Sequence, residues 1–363
     1  MPKKRRQLRV LTLAAGCVAV VLSAFLFGCG SQVNFDTDKN AAAYRKLADE
    51  HYEASRYADA IAACKKAVTI KQDDADAYKT MGAAYNALGR YAEAVSAYKK
   101  ALAINPDDDS AYFSMGNAHN GLKQYMEAIA AYKKSVAIRP KFAVRYVFMA
   151  YSYKALDEHA KAIGAYKKAV ALKPIPDSPL EFTFRGIAYL NLEEYAKAIT
   201  ACKKAIALEP DYVRALHCMG DAYQELGRYA DAITVWKKII VVKPDDVKAY
   251  YCMGNSYEDL KRYAEAVSAY KQIIAVKPDY ANAYHGVGSA YQSLKDYPKA
   301  IAAYKKAISI KPDAGAYLFM GTCHEAIKEQ AKAIAAYEKA IALESDGEIA
   351  AFARKRLRKL RGQ

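Results

Sequence analysis

A 34-residue period runs through most of this 363-residue chain and restricts its fold more than any other feature. One such unit is too short to bury its own apolar surface, so neighbouring units must stack to share a core. The period is interrupted by two extra residues near Asp177 and by one missing residue near Asp313. With Gly82 counted as position 8, the nine units begin at Ala41, Ala75, Asp109, Ala143, Pro179, Val213, Val247, Ala281 and Ala314.

Each unit predicts two helices. Positions 4, 7, 8 and 11 share one face of the first helix, with an aromatic residue usual at position 4 and Gly usual at position 8. Because Gly weakens a helix, we expect the second helix to approach closely at position 8. The second helix has Ala at position 20 of every unit and Tyr, Trp or Cys at position 24. Proline ends seven of the nine second helices, at Pro106, Pro140, Pro174, Pro210, Pro244, Pro278 and Pro312.

This pattern resembles the tetratricopeptide repeat, with Tyr in place of the usual Trp. The resemblance implies an all-α, right-handed superhelical solenoid of about nine stacked helix-turn-helix repeats over residues 41–347. Residues 348–363 predict a basic C-terminal capping helix, whose apolar stripe includes Phe352 and Leu357. The sequence shows no domain boundary inside the array, and the insertion near Asp177 is the expected position of a kink.

The N-terminus has the order of a secretory signal: a basic segment, from Lys3 to Arg9, and then an uncharged run from Val10 to Gly28. The segment Leu26-Phe27-Gly28-Cys29 resembles the lipobox of bacterial lipoproteins. That resemblance implies a signal peptide at residues 1–28, acylation of Cys29 and a tether over residues 29–40. The uncharged run is also long enough to remain as an uncleaved membrane anchor.

Under both interpretations, the rest of the chain is exported from the cytoplasm. Gly30 stands where an inner-membrane retention signal would have aspartate, which resembles a lipoprotein of the outer membrane that faces the periplasm. Cleavage of the signal peptide would remove its five basic residues, so the net charge would fall from +16 to 50 − 39 = +11.

The composition and motifs of the sequence indicate a protein without catalytic activity. The chain is 53% hydrophobic and 26% charged, which excludes wholesale disorder. It has no phosphate-binding loop, no nucleophile elbow and no paired C-x-x-C, so no catalytic residue, metal, cofactor or small-molecule substrate is predicted. Cys64 and Cys202 replace the aromatic residue at position 24 and predict buried thiols. Cys218 and Cys252, on neighbouring first helices about 10 Å apart, are predicted not to form a disulfide.

In the family that the repeats resemble, positions 2, 5, 9, 12 and 13 of the first helices line a concave binding groove. We expect this groove to have an apolar middle in the fourth and fifth units and an acidic section after it, and to bind a protein or peptide segment. The predicted groove residues are Lys79, Phe113, Asn117, Val147, Tyr151, Lys154, Ile187, Leu190, Arg214, His217, Asp221, Tyr251, Asn255, Glu258 and Asp259.

Paired lysines at positions 25 and 26 predict a basic ridge on the second helices, which the C-terminal segment extends. Solvated helix surface explains such a ridge, and so does contact with anionic lipid or glycan. Nucleic acid would match the positive charge, but the export signal argues against it as a partner. The leading hypothesis is therefore a lipid-anchored, periplasm-facing scaffold for envelope or secretion-complex assembly. The alternatives are docking of anionic lipid or glycan on the basic face, and an accessory subunit of a polysaccharide-export system.

Overall fold

The structure is a computed structural model that describes residues 37–362, and over this range it contains nineteen α-helices and no strand. The all-α class predicted from the repeats is confirmed. The predicted signal peptide, Cys29 and the tether as far as residue 36 lie outside the described residues. The chain divides into two compact units, one ending at Pro106 and the other beginning at Asp107. The repeat pattern continues through this point without a slip, so the sequence did not predict the division.

The helices alternate between the first and second helix of each repeat. The first unit contains α1 (Thr37–Glu53), α2 (Tyr57–Ile70), α3 (Ala75–Ala87) and α4 (Tyr91–Ile104). The second unit contains α5 (Asp109–Gly121), α6 (Tyr125–Ile138), α7 (Ala143–Ala155), α8 (His159–Ala171), α9 (Pro179–Asn191), α10 (Tyr195–Leu208), α11 (Val213–Glu225), α12 (Tyr229–Val242), α13 (Val247–Asp259), α14 (Tyr263–Val276), α15 (Ala281–Ser293), α16 (Tyr297–Ile310), α17 (Ala314–Ala326), α18 (Gln330–Leu343) and α19 (Glu348–Arg361).

The side chain at position 24 packs directly onto the residue at position 8 of the same repeat. A Cβ atom added to Gly254 would lie 2.5 Å from Cε1 of Tyr270, and one added to Gly220 would lie 2.5 Å from Cη2 of Trp236. Since real Cβ atoms do not approach so closely, only glycine admits these rings without a shift. The close approach expected at position 8 is therefore made by a ring of the second helix. The alanines at position 20 are buried beside it in every repeat: Ala60, Ala94, Ala128, Ala162, Ala198, Ala232, Ala266, Ala300 and Ala333.

The insertion between the fourth and fifth repeats is accommodated in the loop after α8. That helix ends at Ala171, and Arg185 of α9 donates a hydrogen bond to the Val170 carbonyl at 2.7 Å and a second one to the Leu172 carbonyl. Asp177 then adopts a left-handed backbone conformation with φ of 59°. A side chain of the next repeat thus satisfies carbonyls that the end of α8 leaves open.

Helix α19 packs on α18 and α17, as the predicted capping helix should. It buries Ala350, Ala353 and Leu357. Phe352 was expected on the same apolar stripe, but its side chain is 47% exposed. Its position one residue before Ala353 turns it away from α18, because successive residues of a helix are about 100° apart. None of the helices within residues 37–362 has the length and apolar character that a membrane span requires.

We predict opposite stability effects for alanine at two helical glycines. Gly254→Ala should lower the free energy of unfolding by about 1–3 kcal/mol, because the new methyl group overpacks the site against Tyr270. Gly164→Ala, in the middle of α8, meets no atom within 4 Å and should raise stability by about 0.5–1 kcal/mol. Thermal unfolding followed by circular dichroism measures both changes, and a shift of both midpoints in the same direction would contradict this packing.

Candidate partner-binding site

A cavity of about 540 Å³ opens on the first helices of the second unit. Its walls come from α7, α9, α11 and the start of α13, together with the loop that precedes α13. We call it the α9–α11 pocket. Its lining residues are Tyr151, Ile187, Leu190, Asn191, Val213, Arg214, His217, Cys218, Asp221, Lys243, Asp246 and Lys248.

In other repeats of this unit, the tyrosine at position 24 reaches past the glycine and binds polar residues at positions 9 and 12. The Tyr270 hydroxyl donates to Asn255 Oδ1 at 2.7 Å or to Glu258 Oε2 at 2.8 Å. The Tyr132 hydroxyl lies 2.7 Å from Asn117 Oδ1 and accepts from Asn120 at 2.9 Å. Burial raises the pKa of Tyr132 and Tyr270, so both hydroxyls stay protonated. In these repeats, polar groups of the first helices are therefore already hydrogen-bonded inside the protein.

Three consecutive repeats lack this connection, and the α9–α11 pocket lies among them. The hydroxyl of Tyr166 and the Nε1 atom of Trp236 are buried and have no hydrogen-bond partner within residues 37–362. Between these two repeats, Cys202 takes the place of the ring, and its thiol occupies the space above Gly186. The cysteine side chain is too short to reach positions 9 and 12. In the fifth repeat, the residues at these two positions therefore have no aromatic ring packed beneath them.

Positions 9 and 12 of the fifth repeat are correspondingly apolar, being Ile187 and Leu190. With Tyr151 and Val213 they form the apolar side of the pocket. Burial raises the pKa of Tyr151 to about 12, so its hydroxyl is neutral at physiological pH. A half-apolar recess of this size is typical of a binding site.

Charged residues form the opposite side of the pocket. Lys248 Nζ lies 2.8 Å from Asp221 Oδ2, and Lys243 Nζ lies 3.5 Å from Asp246 Oδ2. His217 Nε2 lies 3.2 Å from the same Asp246 oxygen. Two acidic groups are thus already paired with lysines. Of the acidic residues expected in this part of the groove, Asp221 is paired with a lysine, whereas Glu258 and Asp259 do not line this pocket.

Asp246 also caps α13, since its side chain accepts a hydrogen bond from the Ala249 amide at 2.9 Å. Burial opposes ionisation of this carboxyl group, but the Ala249 amide and the His217 ring outweigh it and lower its pKa. The carboxylate therefore remains charged, fixing one edge of the pocket to the start of a helix.

Six of the predicted groove residues are brought together in this pocket: Tyr151, Ile187, Leu190, Arg214, His217 and Asp221. Lys154 lies beside them and donates to Asn191 Oδ1 at 3.2 Å. Lys79 belongs to the first unit, where it forms an ion pair with Asp76. It is not among the residues that line the pocket.

The other predicted residues have different environments. Val147 is fully buried, so it supports the core and cannot line a groove. Phe113 packs against Tyr132 and Phe148. As described above, Asn117, Asn255 and Glu258 hydrogen-bond to tyrosine hydroxyls. The half-buried Tyr251 ring lies 5.8 Å from that of Tyr270, and Asp259 is exposed.

Asn191 also lines the pocket, from groove position 13, and the structure adds five lining residues that the sequence did not predict: Val213, Cys218, Lys243, Asp246 and Lys248. Lys248 occupies position 2, which the family pattern already marks as a groove position. Lys243 and Asp246 lie near the end of a repeat, where no positional signal was available. Cys218 lies close to the buried Cys202, and a hydrogen bond to that residue, together with burial, raises the pKa of Cys218. Within residues 37–362, no cluster of His, Cys, Asp or Glu could hold a metal ion.

Comparison with known sequences identifies the family. Sequence profiles described as TPR repeat or tetratricopeptide repeat match residues 33–77, 82–123, 110–142, 143–176, 186–227, 220–261, 245–313 and 288–348. Since these matches together extend over most of the chain, the protein belongs to the tetratricopeptide-repeat family. A comparison with curated proteins finds no match.

Solved structures share the fold. The chain is 20% identical to a chain of the APC/C hetero-tetramer Cut9-Hcn1, with a TM-score of 0.57 over 80% of this chain, and spans 57% of that chain's length. A tetratricopeptide repeat protein from Parabacteroides merdae ATCC 43184 is 18% identical, with a TM-score of 0.50, over 69% of this chain and 99% of its own. MamA is 32% identical over 44% of this chain and 94% of its own, with a TM-score of 0.43.

Proposed function

We propose that this protein is an exported, lipid-anchored scaffold that holds a segment of a partner protein in the α9–α11 pocket. The observation that supports the proposal is the pocket itself, which is lined by Ile187 and Leu190 of the repeat in which Cys202 replaces the usual ring. Tetratricopeptide-repeat proteins commonly bind protein or peptide partners, and the family is generally not catalytic. Assembly of an envelope or secretion complex is the role that an anchored scaffold of this kind would serve.

The partner experiment combines in-cell crosslinking, affinity capture and mass spectrometry. We expect a protein captured by the native chain to be lost from the double variant Tyr151→Ala, Leu190→Ala, which removes two apolar side chains of the pocket. Cys202→Phe should have the same effect by filling the pocket from below. The matched control, Met126→Ala with Ile163→Ala, removes two exposed apolar side chains from second helices and should leave capture unchanged.

Crosslinked peptides must also map to α9 or α11 if the pocket is the binding surface. Equal capture by all four chains would contradict the proposal, and so would crosslinks confined to second helices.

Anchoring is proposed from the lipobox-like segment at Cys29, and it has its own test. Cys29→Ser should abolish acylation and leave a precursor that retains residues 1–28, whereas the native chain should have the mass of a cleaved and acylated protein, as measured by intact mass of the membrane fraction. Cys17→Ser is the matched control, because Cys17 also follows a glycine but has almost no apolar segment before it. A precursor of uncleaved mass in the membrane fraction for both variants would show that the segment remains as an anchor.

A second candidate function is docking of anionic lipid or glycan, and helix α19 favours it. Lys355, Arg358 and Lys359 border one shallow surface, and none of them forms an ion pair with a described residue. The exposed Phe352 lies on the same helix, a combination typical of helices that bind anionic membrane surfaces. On the lysine ridge, lysines at position 26 stack on aromatic residues at position 4, as Lys134 does on Tyr112. This contact orients the ammonium groups without neutralising them, so the ridge remains a further basic surface.

Lysine acetylation footprinting of the full chain in lipid nanodiscs tests this surface. Lys355 and Lys359 should react more slowly in nanodiscs with anionic lipid than in zwitterionic ones, and salt should remove the difference. Lys167 and Lys168 of α8 serve as internal controls. Equal labelling in both lipids would exclude lipid docking, whereas protection by an added anionic polysaccharide alone would assign the surface to glycan.

A further inference from the structure

Arg214 is the one charged residue among those lining the α9–α11 pocket that no described carboxylate or histidine pairs with. Its side chain is exposed, and its guanidinium carbon lies 5.3 Å from the centre of the Phe184 ring. This cation–π contact holds the guanidinium group at the pocket without neutralising it. Lys243 and Lys248 already have aspartate partners, so the unmatched charge of the pocket is positive.

The apolar side of the same pocket lacks a filling side chain of its own. Ile187 and Leu190 stand where the seventh repeat has Asn255 and Glu258, and the ring that would reach them is absent at Cys202. A cavity of about 540 Å³ can take a large aliphatic or aromatic side chain together with part of its backbone. Two chemical requirements therefore meet in one recess: an apolar surface to bury and a cation to pair.

We infer that the α9–α11 pocket selects a protein segment in which a bulky apolar residue stands beside aspartate or glutamate. The apolar side chain lies against Ile187, Leu190 and Tyr151, and the carboxylate pairs with Arg214. This inference rests on the proposed function, because it assumes that the occupant is a polypeptide. The carboxylate of the bound segment that pairs with Arg214 provides the specificity, since burial of the apolar side chain alone discriminates weakly between sequences.

Selection from a displayed library of short random peptides tests the inference on the full-length protein purified in detergent. We expect the native chain to enrich peptides that combine Leu, Phe, Ile or Trp with a neighbouring Asp or Glu. The variant Arg214→Glu should instead enrich peptides in which Lys or Arg takes the acidic position. Lys167→Glu makes the same charge change on the second helix of the fourth repeat, outside the pocket lining, and should select the same peptides as the native chain.

Affinities of one selected peptide complete the test. Replacing its acidic residue with alanine should weaken binding to the native chain by roughly tenfold, and replacing it with lysine should restore binding to Arg214→Glu. Absence of enrichment, enrichment without an acidic preference, or the same peptides from Arg214→Glu would each overturn the inference. A lipid or other small molecule retained in the pocket in place of peptide would overturn it as well.

The two proposals fail in different ways. If in-cell capture depends on Tyr151 and Leu190 but the selected peptides show no acidic preference, the scaffold proposal stands and only the specificity is wrong. If peptides are selected as expected but the captured partner does not change in the pocket variants, the specificity of the pocket stands and the scaffold proposal is wrong.

Discussion

Contact between the ring at position 24 and the glycine at position 8 fixes how the two helices of a repeat pack together. In the seventh repeat, Gly254 has no Cβ, and the Tyr270 ring occupies that space. The contact also decides what the first helices present, because the hydroxyl of the ring emerges between positions 9 and 12. In the third and seventh repeats the ring is tyrosine, and polar groups at those positions bind it. In these repeats a core residue thus engages polar groups of the surface above it.

The fifth repeat shows the consequence of changing that residue. Cys202 leaves the space above Gly186 to a small thiol, and Cys218 of the next repeat lies beside it. Apolar residues at positions 9 and 12 then have no hydroxyl to bind and line an open pocket. The repeats on either side place Tyr166 and Trp236 at position 24, and neither polar atom has a hydrogen-bond partner among the described residues. The α9–α11 pocket therefore lies where the structure departs from a packing rule that other repeats of the unit follow.

Much of this could be predicted from the sequence, because the period assigns each residue to a helix face. Burial of the alanines at position 20 and of Cys64 and Cys202 follows from their positions alone. The same rule placed Ile187, Leu190 and Arg214 on one surface, and in the structure all three line the α9–α11 pocket.

The period could not predict contacts that depend on how two helices cross. Asn117 and Asn255 occupy predicted groove positions, but the side-chain oxygen of each asparagine lies within hydrogen-bond distance of a tyrosine hydroxyl fifteen residues further along the chain. Val147 is at a groove position as well, yet neighbouring repeats cover it completely. Lys243 and Asp246 reach the pocket from the end of a repeat, and their direction depends on the stacking of whole helix pairs. Sequence position gives the face of a helix, whereas the structure shows which parts of that face remain open.

A crystal structure of the Cys202→Phe variant beside that of the native chain would show whether the small residue at position 24 leaves the pocket open. We expect the new ring to lie against Gly186, its edge to reach between Ile187 and Leu190, and the α9–α11 pocket to be filled. A ring that turns away from Gly186, or a pocket of unchanged volume beneath Tyr151, would show that the cysteine is not what opens it.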